Sequence, residues 1–151
     1  MRTLQVTSSS FANTGIIPKL YTYDGKNINP PLRVDNIPSG TQTLAFIMDD
    51  PDAPGGTWVH WIEWNMDTAG LESFSILEGR DPVGISGSGT SGHMFYEGPC
   101  PPSGTHRYFF KFYALDTILE LSAGSGKDAL EQAMTGHIIG RGEIIGLYTR
   151  S

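Results

Sequence analysis

This 151-residue sequence is short of cysteine, of basic residues and of long apolar runs, and each shortage narrows what the chain does. Cys100 stands alone, so no internal disulfide forms, and a single thiol suits a reducing compartment, which predicts a cytoplasmic protein. Lys and Arg number 10 against 16 Asp and Glu, a net charge of -6, and the basic residues nowhere cluster. The electrostatic footprint of a phosphate-backbone binder is missing, so no nucleic acid is expected as a partner. Met1 to Ser10 hold no apolar core of signal-peptide length, and no apolar run approaches the roughly 18 residues of a membrane span. The expectation is a soluble, unexported chain with no integral membrane association. Its length suits one domain, residues 1–151, able to bury about two thirds of its unfolded surface in a single core.

Glycine (19) and proline (10) are plentiful and spread along the chain, where they punctuate segments that alternate with period two. Thr43–Met48, Trp58–Met66, Tyr108–Leu115 and Glu143–Tyr148 read as strands, and turns at this density suit a many-stranded antiparallel sandwich. One segment breaks the pattern. Ser125 is placed to cap a helix over residues 126–138, with Asp128 three residues on and Leu130, Ala133, Met134, His137 and Ile138 on one face. The fold class is therefore mainly β, with one or two short helices. The connection from Gly79 to Thr105 has little apolar periodicity, and a connection of this length inside a compact domain points to function.

Several chemical templates fail on inspection. Gly87 to Gly92 carries the letters of a dinucleotide-binding loop, yet His93-Met94-Phe95-Tyr96-Glu97-Gly98-Pro99 follows it and cannot open the helix that the motif needs. Asp49, Asp50 and Asp52 begin like a calcium loop, but prolines interrupt it and Trp61 stands at the bidentate glutamate position. His93, Cys100 and His106 match no usual zinc spacing, and no G-x-S-x-G elbow occurs. The expectation is a protein that is not an enzyme, with no metal and no cofactor.

Polar residues in apolar or rigid settings remain. Strict alternation places Trp58, His60, Ile62 and Trp64 on one strand face, and His106, Tyr108, Phe110 and Phe112 on one face of another. Taken singly, His60 reads most simply as a core histidine donating to a backbone carbonyl, and His106 with Tyr108 as cross-strand packing. Asp50-Pro51-Asp52-Ala53-Pro54 and Gly98-Pro99-Cys100-Pro101-Pro102 are rigid segments with polar groups that are costly to bury unless something pairs with them.

Together with Ile17-Pro18, Tyr21-Thr22-Tyr23-Asp24-Gly25, Asn29-Pro30-Pro31-Leu32, His106-Arg107-Tyr108, Gly136-His137 and Gly146-Leu147-Tyr148, these motifs resemble the phosphatidylethanolamine-binding protein family, specifically its bacterial and archaeal Raf-kinase-inhibitor-like branch. The resemblance implies a Greek-key β-sandwich with a small anion-binding pocket at one end. It assigns ligand binding to Asp50, His60, His106 and the Pro101-Pro102 lip, with Trp58, Gly98 and Tyr108 as wall, and a cis Ala53–Pro54 bond beside it. Imidazole N–H and phenol O–H groups would donate to a phosphate-like or carboxylate ligand. The family also implies an alternative, an inhibitor of a serine protease or a protein kinase, for which the Gly84–Gly92 stretch is the candidate contact segment; a homodimer stays open among the partners. Tyr23 stands where a cysteine is common in prokaryotic relatives, and no carboxyl-terminal helix is expected to bring a further aromatic over the pocket.

Overall fold

The computed structural model describes residues 1–150, in which the β-rich expectation takes the form of two packed sheets and one helix. A seven-stranded sheet runs β1 (Arg2–Thr3), β10 (Ile138–Thr149), β9 (Thr105–Leu115), β5 (Thr43–Asp50), β6 (Trp58–Asp67) and β8 (Ile85–Ser86), with β3 (Gly15–Ile16) also on β10. A three-stranded sheet runs β2 (Gln5–Thr7), β4 (Leu32–Asp35) and β7 (Phe74–Ile76). The helix α1 is Lys127–Met134, and Lys19–Tyr21 forms a 3-10 turn.

Strand β5 explains the layering. All eight of its residues are buried, because it lies between β6 and β9 and both of its faces are covered. Leu44, Phe46 and Met48 point with Phe110, Phe112 and Trp61 toward the three-stranded sheet, where Val6, Leu32, Val34 and Ile76 close the main core. Ala45 and Ile47 point the other way, with Ile62 and Trp64, onto Leu130 and Met134 of α1. Burying each of those two helix side chains contributes about 1.5–3 kcal/mol. The buried Asp49 fastens the same helix through Lys127 and also takes Lys111, each 3.1 Å away.

Three expectations need correction. The helix is shorter than 126–138: the Ser125 hydroxyl donates to the Ser122 carbonyl and does not cap it, and Gly136, at φ +83°, turns the chain before His137 and Ile138. The sheet is mixed, since β1 and β3 lie parallel to β10 along its outer edge. Gly142 and Gly146 permit that approach: a Cβ there would strike the Leu4 carbonyl and the Ile17 side chain respectively. Finally, the cis X–Pro bond among the described residues is Asp81–Pro82, while Ala53–Pro54 is trans.

Alternation also breaks in β6 at two places, near His60 and between Glu63 and Met66. At the first, the pairing steps from Asp49↔Val59 to Met48↔Trp61, so one extra residue sits between them. This bulge puts His60 and Trp61 on the same side of the sheet and sends Ile62 and Trp64 to the opposite core, where strict period two had placed them with His60.

Candidate functional site

At one end of the large sheet β5 finishes, β6 starts and β9 is two residues old, so Asp50, Trp58 and His106 arrive at one place. The Gly98–Pro102 segment closes the far side. It is held by an amide of Gly98 donating to Asn27 Oδ1 (2.8 Å) and an amide of Tyr23 donating to the Pro99 carbonyl (3.1 Å). Between them lies a cavity of about 410 Å³, and all eight expected site residues (Asp50, Trp58, His60, Gly98, Pro101, Pro102, His106 and Tyr108) line it.

The acidic loop is organised before any ligand arrives. Asp50 Oδ1 accepts the Asp52 amide (2.8 Å) and Oδ2 pairs with His106 Nδ1 (2.6 Å), so this carboxylate orients the imidazole. Asp52 faces away from the cavity and grips Arg107 through its backbone amide, Nε and Nη2 at 2.9, 3.0 and 2.9 Å. The Arg107 hydrogen bonds push the Asp52 carboxyl down to about 2.

Tyr108 stands between the two imidazoles, with ring centroids 5.3 Å from His60 and 6.4 Å from His106. Its hydroxyl is buried and its O–H meets no acceptor; the Cys100 backbone amide lies near it, a group that can only donate. Burial first, then the Asp50 charge, raises the phenol well above the usual tyrosine range, so it stays an O–H donor. His60 is 6% exposed, and its Nδ1 lies 2.7 Å from the Glu97 carbonyl. A carbonyl can only accept, so Nδ1 carries the proton, and burial holds the ring below the ordinary imidazole range. The simple reading of His60 as a histidine donating to a backbone carbonyl is thus met by a residue that also lines the cavity.

This alters the expected chemistry. Both imidazoles commit Nδ1 to protein acceptors, leaving Nε2 as the ring nitrogen available to a ligand, and in a neutral ring that atom accepts. Of the expected donors, the phenol alone is ready while both imidazoles are neutral.

Sequence reasoning missed Glu97 and underrated Tyr23. The Glu97 carboxylate lines the cavity and accepts from Trp58 Nε1 (2.9 Å), Ser91 Oγ (2.8 Å) and Tyr23 Oη (3.2 Å), with His93 Nδ1 at 3.1 Å. Burial alone would raise it, but the bonds from Trp58 and Ser91 outweigh burial and hold it below the usual glutamate range. One signal was available: Glu97 is the single carboxylate between His93 and Pro102. Of the weighed zinc set, His93 pairs with Glu97 and His106 with Asp50, so these two histidines serve different carboxylates.

The model of the family described as phosphatidylethanolamine-binding protein matches residues 7–149, nearly the whole chain. The chain belongs to this family. A UPF0098 protein of Methanothermobacter thermautotrophicus is 47% identical over 150 residues, spanning 97% of this chain and 99% of that one, and a UPF0098 protein of Aquifex aeolicus is 43% identical over 155 residues, spanning 97% and 89%. Among solved structures, a phosphatidylethanolamine-binding protein homologue from Chlamydia trachomatis superposes with a TM-score of 0.93 at 36% identity, covering 100% of both chains. E. coli YbcL, described as a member of the mammalian family, gives 0.87 at 27% identity, covering 98% and 99%. The phosphatidylethanolamine-binding protein fold is therefore the frame that brings the histidines, the acidic loop and the proline lip together.

Proposed function

We propose that this protein is a non-enzymatic binding protein whose cavity takes one phosphate- or carboxylate-bearing group of a small ligand. The observation that carries this reading is the Tyr108 hydroxyl, buried and unpaired in the wall of an open cavity between two imidazoles. An unpaired buried donor costs about 1–3 kcal/mol, which a ligand oxygen would recover. The single cysteine extends the proposal to a cytoplasmic location.

The inhibitor reading has less support. A contact segment should project, whereas residues 84–92 lie against β6, with the Gly87 amide donating to the Ile62 carbonyl and the Thr90 amide to the Val59 carbonyl. No helix among the described residues is long and apolar enough to cross a membrane.

Inorganic phosphate and phosphoethanolamine, titrated calorimetrically at pH 5.5 and 7.5, test the proposal. Binding should be tighter at pH 5.5, because only a second proton converts an Nε2 acceptor into a donor and adds positive charge. His106→Ala should weaken it by about 1–3 kcal/mol with little change in melting temperature, whereas His60→Ala, which removes a ring that burial holds below the ordinary imidazole range, should weaken it less. Equal affinity in wild type and both variants would reject the pocket.

A further inference from the structure

Glu97 is the part of the cavity wall that a simple anion site has no use for. Its side chain is buried, it is held ionised by its hydrogen-bond donors, and it faces the same space as Asp50. No lysine or arginine lines the cavity. Burial works against a charge on His60, which leaves the His106 imidazole, held by the Asp50 carboxylate, as the cationic partner the wall can offer. With that charge present, two carboxylates still face one imidazolium, and the lining remains net negative. The first negative charge on a ligand is met by the imidazolium and the Tyr108 hydroxyl. A second meets only repulsion, in surroundings where water screens poorly.

We propose that Glu97 sets the charge specificity of the pocket, which accepts ligands bearing a single negative charge and refuses dianions. The inference rests on the anion-pocket reading above. It predicts that the physiological ligand offers a diester-like phosphate, a singly protonated phosphate or a monocarboxylate, and not a fully ionised phosphomonoester.

Methyl sulfate and sulfate separate charge from shape, since both are tetrahedral and at pH 5.5 they stay a monoanion and a dianion. Wild type should bind methyl sulfate at least about tenfold more tightly than sulfate, the scale of one uncompensated charge at this range. Glu97→Gln should bring the ratio close to one, mainly by tightening sulfate. Ser91→Ala, which withdraws one donor and keeps the charge, should leave the ratio standing, and that separates charge from mere positioning of the wall. Glu97→Ala serves if the glutamine variant does not fold. Equal affinity of wild type for the two sulfates, or a ratio unmoved in a folded Glu97 variant, overturns the proposal while leaving the anion pocket in place. Failure of wild type to bind these ions and phosphate alike rejects the pocket and this inference together.

Discussion

Glu63→Gln should flatten the dependence of stability on pH and melt above the parent protein in alkaline buffer. Glu63 is fully buried in β6: its Oε1 accepts the amides of Val83 (2.7 Å) and Gly84 (2.8 Å), and its Oε2 accepts Trp61 Nε1 (2.8 Å). The same indole N–H reaches Asp81 Oδ1 at 3.1 Å, so two carboxyls crowd one donor, and Asp81 Oδ2 takes the Tyr96 amide. Burial first, then Asp81, pushes the Glu63 carboxyl up to about 8. The folded state therefore keeps a proton that the unfolded chain releases near pH 4.5. Stability from this proton is complete below that pH and is lost as pH rises through about 8, by an amount on the order of a few kcal/mol. Glutamine cannot titrate, so its pH profile should lose that slope, at a cost in acid where its amide N–H opposes the Trp61 donor. Thermal melts from pH 4.5 to 9 decide it; parallel profiles for variant and wild type would show that Glu63 is not the titrating group.

The second large effect is expected from Gly98→Ala. A Cβ at this position would run into the Tyr21 carbonyl and lie 2.5 Å from Asn27 Oδ1, the atom that accepts the Gly98 amide. Neither obstacle is the loose end of a long side chain, so the Gly98–Pro102 lip has to move. Overpacking of this kind costs about 1–3 kcal/mol. Because the same movement displaces Pro101 and Pro102 from the cavity, phosphate binding should fall together with the melting temperature. A variant that melts lower yet binds phosphate as wild type does would separate the lip from the site.

The contrast between these two positions also shows what the sequence could convey. Gly98 stood in a proline-rich segment whose rigidity is written in its residue types, and it was legible. Glu63 looked like one more polar residue on a strand, since its burial depends on the 81–84 segment folding over it, a contact across 20 residues of separation. Four strands of the large sheet, β5, β6, β9 and β10, were readable as apolar or alternating runs, whereas the two-residue β1, β3 and β8 are too short to leave a pattern. The bulge at His60 was not readable, because an inserted residue leaves no mark in an alternating pattern of large side chains. The helix start was misplaced because Ser125 had a nearer acceptor in Ser122, a local competition that capping preferences do not describe. Asp50, His60 and His106 were found through motif resemblance, whereas Glu97 required knowing that Trp58, Tyr23 and Ser91 come from separate segments to meet it.

The extra residue near His60 separates the first stretch of β6 from the next, and the two have separate obligations. Residues 58 and 60 answer to whatever occupies the cavity, while residues 62 and 64 answer to α1 and its hydrophobic layer. A change of side chain at the binding end is thus insulated from the packing under the helix. The fold can retune its recognition surface while the layer that keeps it standing stays as it is.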